Sequence, residues 1–315
     1  MQRRPLGSTG FDVAPLALGG NVFGWTADEA TSFRILDAFV AGGGNLIDTA
    51  DSYSRWVEGH EGGESETIIG RWIARRGRHD DVVIATKVGS DMGLGHRCLK
   101  ADYIVRAAES SLRRLQVDAL DLYQSHWDDD TTPFEETLEA YARLIAAGKV
   151  RAIGASNLTA PRLADALATS ERLGLPRYAT LQPHYNLYER ATYEGELEAL
   201  CVRENIGVIT YFALAAGFLT GKYRTEAHFA QSPRGGGMHK YMNPRGLRIL
   251  GALDVVAARL AATPAQVALA WLMHRPSVTA PIASATTLVQ LDELLCATRL
   301  ALDADALQVL DRASA

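Results

Sequence analysis

The chain has 315 residues, 47% of them hydrophobic and 22% charged, with a formal net charge of -5. That balance suits a globular protein with a large core, and net acidity without a basic block argues against nucleic acid as the main partner. The three cysteines, Cys98, Cys201 and Cys296, are scattered, with no CxxC pair and no zinc spacing, so no metal site and a reducing compartment are expected. No run approaches membrane-spanning length, and Met1 to Gly7 lacks the apolar core of an export signal; a cytoplasmic protein without membrane contact is expected.

Leu6 to Phe11 reads as a small hairpin with glycines at its turn. Ala14 to Leu18 is an apolar strand running into Gly19-Gly20, and Asp28 can cap a helix from Glu29 to Ala41. Leu46-Ile47 end a second buried strand at 45–48. A glycine-rich loop at 59–63 precedes a helix from Glu64 through Arg75. Val82 to Thr86 is a third strand, ending on Lys87. Helices at 101–115, 133–146, 160–173 and 192–204 then alternate with strands at 120–126, 150–154, 179–182 and 207–211. A long insertion follows, then helices near 245–260 and 264–274 and a last strand near 278–282.

Eight strand–helix alternations favour a closed (β/α)8 TIM barrel over an open sheet, and the whole chain, 1–315, reads as one barrel domain with extra helices near the C-terminus. No early GxGxxG follows a strand, which argues against a Rossmann domain. The 223–245 stretch contains Gly235-Gly236-Gly237 with Arg224, Arg234, Lys240 and Arg245. It is too polar and glycine-rich to be core, and no Lys-Ser/Thr pair follows to make it a phosphate loop.

In such a barrel the C-terminal strand ends converge on one mouth. Those ends and their loops supply Asp48, Tyr53, Lys87 and His126. Taken singly, each has a structural reading: a capping acid, a rim aromatic, a solvated lysine, a core histidine. Together they suit proton transfer to an oxygen. A lysine beside a phenol favours phenolate, Asp48 can hold that lysine charged, and His126 can orient a substrate carbonyl.

The segments Leu6 to Gly10, Asn45 to Tyr53, Ile84 to Gly89, Asp121 to Trp127, Gly154 to Asn157, Gln182 to Leu187 and Gly217 to Tyr223 resemble the aldo-keto reductase superfamily, above all the bacterial branch similar to potassium-channel β subunits. The resemblance implies a (β/α)8 barrel that binds a nicotinamide cofactor across its mouth and reduces an aldehyde or ketone to an alcohol. It implies that Tyr53 is the general acid, assisted by Lys87 and Asp48, with His126 positioning the carbonyl. Ser156, Asn157 and Gln182 match residues that hold the carboxamide, and Tyr211 matches the aromatic under the nicotinamide. Leu214, Gly217, Leu219, Gly221 and Lys222 match the segment over the pyrophosphate. Ser284, Thr286, Gln290 and Glu293 fall in the adenine-ribose segment.

Two departures stand out. Phe212 occupies a position where many members carry a small polar residue. The segment 284–293 has no Lys or Arg for a 2′-phosphate, so NADPH leads on the family pattern, with NADH the rival, and Arg224 or Arg234 is available to close over the phosphate. Val22, Trp25, Trp56 and Trp127 are expected at the pocket rim, where aromatic walls suit a sugar face or an aromatic carbonyl equally. The competing functions are an NAD-dependent sugar or alcohol dehydrogenase and a cofactor-sensing subunit without turnover. The expected partner is a small carbonyl compound, with oligomeric state open and a monomer allowed.

Overall fold

The computed structural model describes residues 1–315. Two short antiparallel strands, β1 (Arg4–Pro5) and β2 (Asp12–Val13), come first, so the predicted Leu6–Phe11 segment is the loop of the hairpin. Eight parallel strands follow and close into a barrel: β3 (Ala17–Gly19), β4 (Leu46–Asp48), β5 (Val83–Val88), β6 (Leu120–Ser125), β7 (Val150–Ser156), β8 (Thr180–Gln182), β9 (Gly207–Thr210) and β10 (Ala280–Ala283). Closure is made by β10, which pairs with β9 through Ala280 and Ile209 and with β3 through Ile282 and Ala17.

The helices cover the outside. They are α1 (Glu29–Ala41), α2 (Glu64–Arg76), α3 (Ala101–Leu115), α4 (Phe134–Ala146), α5 (Ala160–Leu173), α6 (Glu196–Arg203), α7 (Pro244–Arg259) and α8 (Pro264–Met273). After the barrel come α9 (Leu288–Ala297) and α10 (Ala304–Ser314). Their starts follow local chemistry. Asp28 and Thr159 accept from the backbone N–H of Thr31 and Arg162, and Thr263 with Gln266 forms a reciprocal capping box. Gly77 and Gly174 end α2 and α5 in the left-handed region that favours glycine.

Each strand feeds two cores because successive side chains face opposite ways. One set, with Ile47, Ile84, Tyr123 and Ile153, packs outward against the helices. The other, with Leu46, Val83, Leu122 and Ile209, fills the barrel interior. Leu6 and Val13 of the hairpin join that interior cluster and floor the barrel. The floor is tied down from several sides. Arg4 donates to the carbonyls of Met273 (2.9 Å) and Val278 (3.2 Å). Asn45 accepts from the Ala14 N–H at 2.7 Å and donates to the Asp12 carbonyl at 2.9 Å. With one end plugged, the opposite, C-terminal end of the strands is the open mouth.

Three expectations need correction. Strand β5 does not end on Lys87 but runs one residue further, to Val88, so the lysine lies within the strand. Helix α6 starts at Glu196 rather than 192, because Gly195 stands at φ 100° and breaks the chain there. The 223–245 stretch is not wholly outside the core. It folds as two 3₁₀ segments, Glu226–Gln231 and Gly235–Tyr241, with Met238 and Tyr241 buried and the Tyr241 ring stacked on Phe218 at 5.2 Å. Gly235 permits this: a Cβ there would lie 1.6 Å from the Phe229 carbonyl oxygen. No single helix is long and apolar enough to cross a membrane.

The floor yields a direct test. Gly7 stands at φ +54°, and a Cβ on it would lie 2.3 Å from the Ala179 carbonyl oxygen and 2.4 Å from the Gly207 nitrogen. Gly10, at φ +81°, has open space in the same place. Gly10→Ala is expected to cost about 1 kcal/mol through backbone strain alone. Gly7→Ala adds overpacking against rigid backbone and is expected to cost about 2–4 kcal/mol, read as a lower denaturant midpoint at unchanged m-value. Equal costs in the two variants would show that the hairpin does not press on the barrel.

Candidate active site

Asp48, the last residue of β4, is 2% exposed, and Lys87 of β5 is fully buried beside it. Their ion pair closes at 2.7 Å. The lysine's remaining donors go to the Thr49 carbonyl and the Tyr53 hydroxyl, each at 2.8 Å. All three ammonium protons therefore have acceptors, as a buried cation requires. The Tyr53 hydroxyl in turn donates to Asp48 Oδ2 at 2.9 Å. Gln182, from β8 on the far side of the mouth, donates to Asp48 Oδ1 at 2.8 Å.

This arrangement alters the sequence-based view in two respects. Asp48 supports Tyr53 directly as well as through the lysine. Burial, followed by the Asp48 charge and hydrogen bond, pushes the Tyr53 phenol well above its ordinary pKa. The lowering expected from Lys87 does not decide the direction; burial, the largest cause, and Asp48 do. Lys87 itself is lowered by burial, which the pairing with Asp48 offsets in part.

His126 follows β6. Its ring stands 6.1 Å from the Tyr53 ring and stacks on Trp127 at 5.8 Å. Nδ1 lies 3.0 Å from Ser90 Oγ, which leaves Nε2 as the polar atom facing the mouth. Burial, with Lys87 and Arg97 adding positive potential, holds the imidazole well below its ordinary pKa. It is therefore neutral near pH 7. In the tautomer in which Nδ1 accepts from Ser90, Nε2 carries the proton and offers a donor to the cavity.

Behind Lys87 lies a second charged layer. Glu66 is fully buried, accepting from Thr86 and pairing with Arg114 at 2.6 Å. Asp51 lies close by with Oδ1 unpartnered, and burial together with the Glu66 charge raises it to about 8.

A cavity of about 820 Å³ spans the mouth and continues past the end of β10. Asp48, Tyr53 and His126 line it, as do Val22, Trp25, Trp56 and Trp127. Trp25 and Trp56 meet edge to face at 5.5 Å. Ser156, Asn157, Gln182 and Tyr211 line its centre. Asn157, at φ +59°, donates to the His126 carbonyl and accepts from the Tyr211 hydroxyl at 2.8 Å. His184 stacks on one face of Tyr211 at 5.0 Å, so the ring is fixed with its other face available. Phe212 also stands at positive φ, 52°, and packs its ring against His184 and Tyr211.

Beyond Tyr211, Leu214, Gly217 and Lys222 line the cavity, and Ser284, Thr286, Gln290 and Glu293 line its far end. Leu219 and Gly221, expected here, do not. Leu219 is fully buried in the outer core, and Gly221 faces the Arg224 guanidinium. Arg224 is held by two 2.7 Å bonds to Asp254, and Arg234 lies over the Trp25 ring at 5.3 Å, so neither stands over the 284–293 segment. Ser90, Asn21 and His184 escaped the sequence reading, and Arg234 was expected over the 2′-phosphate rather than over Trp25. Ser90 and Asn21 carry no spacing signal, and Arg234 sat in a loop whose path only the fold determines.

The cavity's donor set fits an extended dinucleotide. It offers a clustered amide–hydroxyl trio at Ser156, Asn157 and Gln182, the open face of Tyr211, and an ammonium at Lys222 that has no carboxylate partner.

The comparisons agree with this architecture. An uncharacterized oxidoreductase of Bacillus subtilis is 36% identical over 99% of this chain and 95% of its own. A probable voltage-gated potassium channel subunit beta of Arabidopsis thaliana is 32% identical over 93% of this chain and 90% of its own. A norsolorinic acid reductase of Aspergillus flavus is 30% identical over 97% of this chain and 79% of its own. Residues 15–315 match the family described as the Aldo/keto reductase family, and the chain belongs to it.

Proposed function

We propose that this chain reduces an aldehyde or ketone to an alcohol with Tyr53 as the general acid. The observation that carries the reading is the Tyr53 hydroxyl, which lines the cavity while accepting from a fully buried lysine. A reduced nicotinamide, when bound, supplies the hydride. The residues of the chain do the rest.

The neutral His126 directs its Nε2 donor at the carbonyl oxygen and orients it without bringing a charge. As negative charge grows on that oxygen, Tyr53 gives up its proton. The hydroxyl has one proton, and in the resting geometry it points to Asp48. Transfer therefore requires it to turn from Asp48 to the substrate oxygen, and Asp48 keeps Lys87 and Gln182 as partners meanwhile. The phenolate left behind accepts from Lys87, whose ammonium is 2.8 Å away. The raised phenol pKa keeps the acid in its protonated form before the step. Ser156, Asn157 and Gln182 are the group we assign to the carboxamide, Tyr211 to the ring, and Lys222 to the pyrophosphate.

The relatives named as an oxidoreductase and as a norsolorinic acid reductase support reduction. The potassium channel subunit beta relative supports the second reading, a cofactor-sensing subunit. A complete proton-donor set weighs toward turnover. We also propose that the coenzyme is NADPH or NADH with little discrimination, since the cavity end at Ser284, Thr286, Gln290 and Glu293 offers hydroxyls, an amide and a carboxylate but no cation.

Tyr53→Phe is expected to lower kcat by about 10²–10⁴-fold while the coenzyme dissociation constant, read by fluorescence, stays put. Near-full turnover in that variant would remove Tyr53 from the mechanism, and no turnover in the wild type on a broad carbonyl panel would favour the sensing subunit. Because His126 stays neutral, kcat/KM for reduction is expected to be flat between about pH 5.5 and 7.5. An inflection near the ordinary histidine pKa would contradict the assigned state of the ring. Thr286→Arg is expected to tighten NADPH by about 10–100-fold relative to NADH through a charge-assisted bond to the 2′-phosphate. An unchanged ratio of dissociation constants would mean that the 2′ position lies elsewhere.

A further inference from the structure

Arg234 is the one cation of the 223–245 stretch that lines the cavity, and its guanidinium makes no hydrogen bond or ion pair within the chain. Arg224, ten residues earlier, is fully engaged with Asp254 and the Gly221 carbonyl. The contrast matters because Arg234 is half-buried, and a guanidinium drawn out of water without a counter-charge is unfavourable. Burial lowers its pKa, and the opposing influences are the phenols of Tyr223 and Tyr53, not a carboxylate.

The position is fixed by aromatics. Arg234 lies over Trp25, which meets Trp56 at 5.5 Å, and Trp56 stands 6.2 Å from the Tyr53 ring. Arg234 thus belongs to the end of the cavity where the proton donor sits. Its charge is felt there, since it is the cation that counteracts the rise in the Tyr53 pKa. Arg97, over Trp127 at 4.3 Å, adds a second positive charge at the same rim. The acid at that end, Asp48, is already matched by Lys87. A pyrophosphate would find its own cation in Lys222, whose Nζ hangs 3.6 Å from where a Gly217 Cβ would be.

We propose that Arg234 is the anion-recognising residue of the substrate pocket, and that the substrate class is a carbonyl compound bearing a carboxylate. The planar fork accepts a carboxylate through two parallel bonds, while Trp25 and Trp56 cover the connecting carbon skeleton. This rests on the reading of Tyr53 as proton donor, because the anion is placed relative to the carbonyl that Tyr53 protonates.

The experiment compares para-carboxybenzaldehyde with its methyl ester, using the full chain and saturating reduced coenzyme. The wild type is expected to favour the acid by about 10–100-fold in kcat/KM, chiefly through KM, as a charged hydrogen-bonded pair allows. In Arg234→Met the preference falls to within about threefold, and Arg234→Lys restores part of it. Two measurements stand beside turnover: the coenzyme dissociation constant, expected to move less than about twofold, and a tryptophan-fluorescence titration with the acid, expected to weaken in Arg234→Met as KM does. A preference for the acid that survives in Arg234→Met overturns the proposal. So does a loss of coenzyme affinity that matches the loss of substrate preference, which would make Arg234 a coenzyme clamp. Should the wild type reduce neither aldehyde, the reductase reading fails, and the fluorescence titration alone still decides whether Arg234 binds the carboxylate.

Discussion

The ion pair between Lys87 and Asp48 is the constraint from which the rest of the mouth follows. Both groups are out of water, and leaving either one alone would cost about 3–5 kcal/mol. Each must therefore be satisfied on every side. Lys87 finds Asp48, Thr49 and Tyr53; Asp48 finds Lys87, Tyr53 and Gln182. Gln182 reaches Asp48 from β8, whereas the ladder neighbours of β4 are β3 and β5. Only a sheet curled back on itself brings those strand ends within 3 Å, so the pair and the closed barrel presuppose each other. The same network holds Tyr53 at the cavity wall and ties Gln182, on the far side of the mouth, to the acid.

Much of this was legible in the chain because the signals are local. Buried parallel strands are continuously apolar, and caps such as Asp28 and Thr159 announce helices that begin within a residue of their expected starts. The barrel order follows from the alternation. Helices α9 and α10 were anticipated only as extra elements near the C-terminus. Asp48, Tyr53, Lys87 and His126 were singled out from their places at strand ends and the loops after them, and all four gather at the mouth.

What escaped is what depends on contacts across the fold. The Asp48–Gln182 bond joins residues 134 apart, and Ser90 meets His126 across 36. No spacing rule encodes either. The direction of the Tyr53 shift was also hidden, since a phenol beside a lysine is pulled one way and a phenol beside a carboxylate the other. The balance depends on burial and on which charge is already neutralised. For the 223–245 stretch, composition misled because a run rich in glycine and charge still placed Met238 and Tyr241 inward once Gly235 allowed a close turn. The same turn carries Arg234 to the Trp25 end of the cavity and leaves Arg224 bound to Asp254.

The hairpin under the barrel bears on how the chain reaches this state. Arg4 bonds to the carbonyl of a residue 269 positions later, and Gly7 sits against the starts of β8 and β9. Barrel closure likewise joins β3 to β10, nearly the whole chain apart. Contacts of such sequence separation are slow to form, because long loops must close before the contacts reward it. During synthesis the hairpin emerges before β8, β9, α8 and β10, so its contacts with Gly207 and Met273 form only after those elements are available. Leu6 and Val13 complete their packing only when the late strands join the interior cluster, so a hairpin made early is among the last parts to reach its native place.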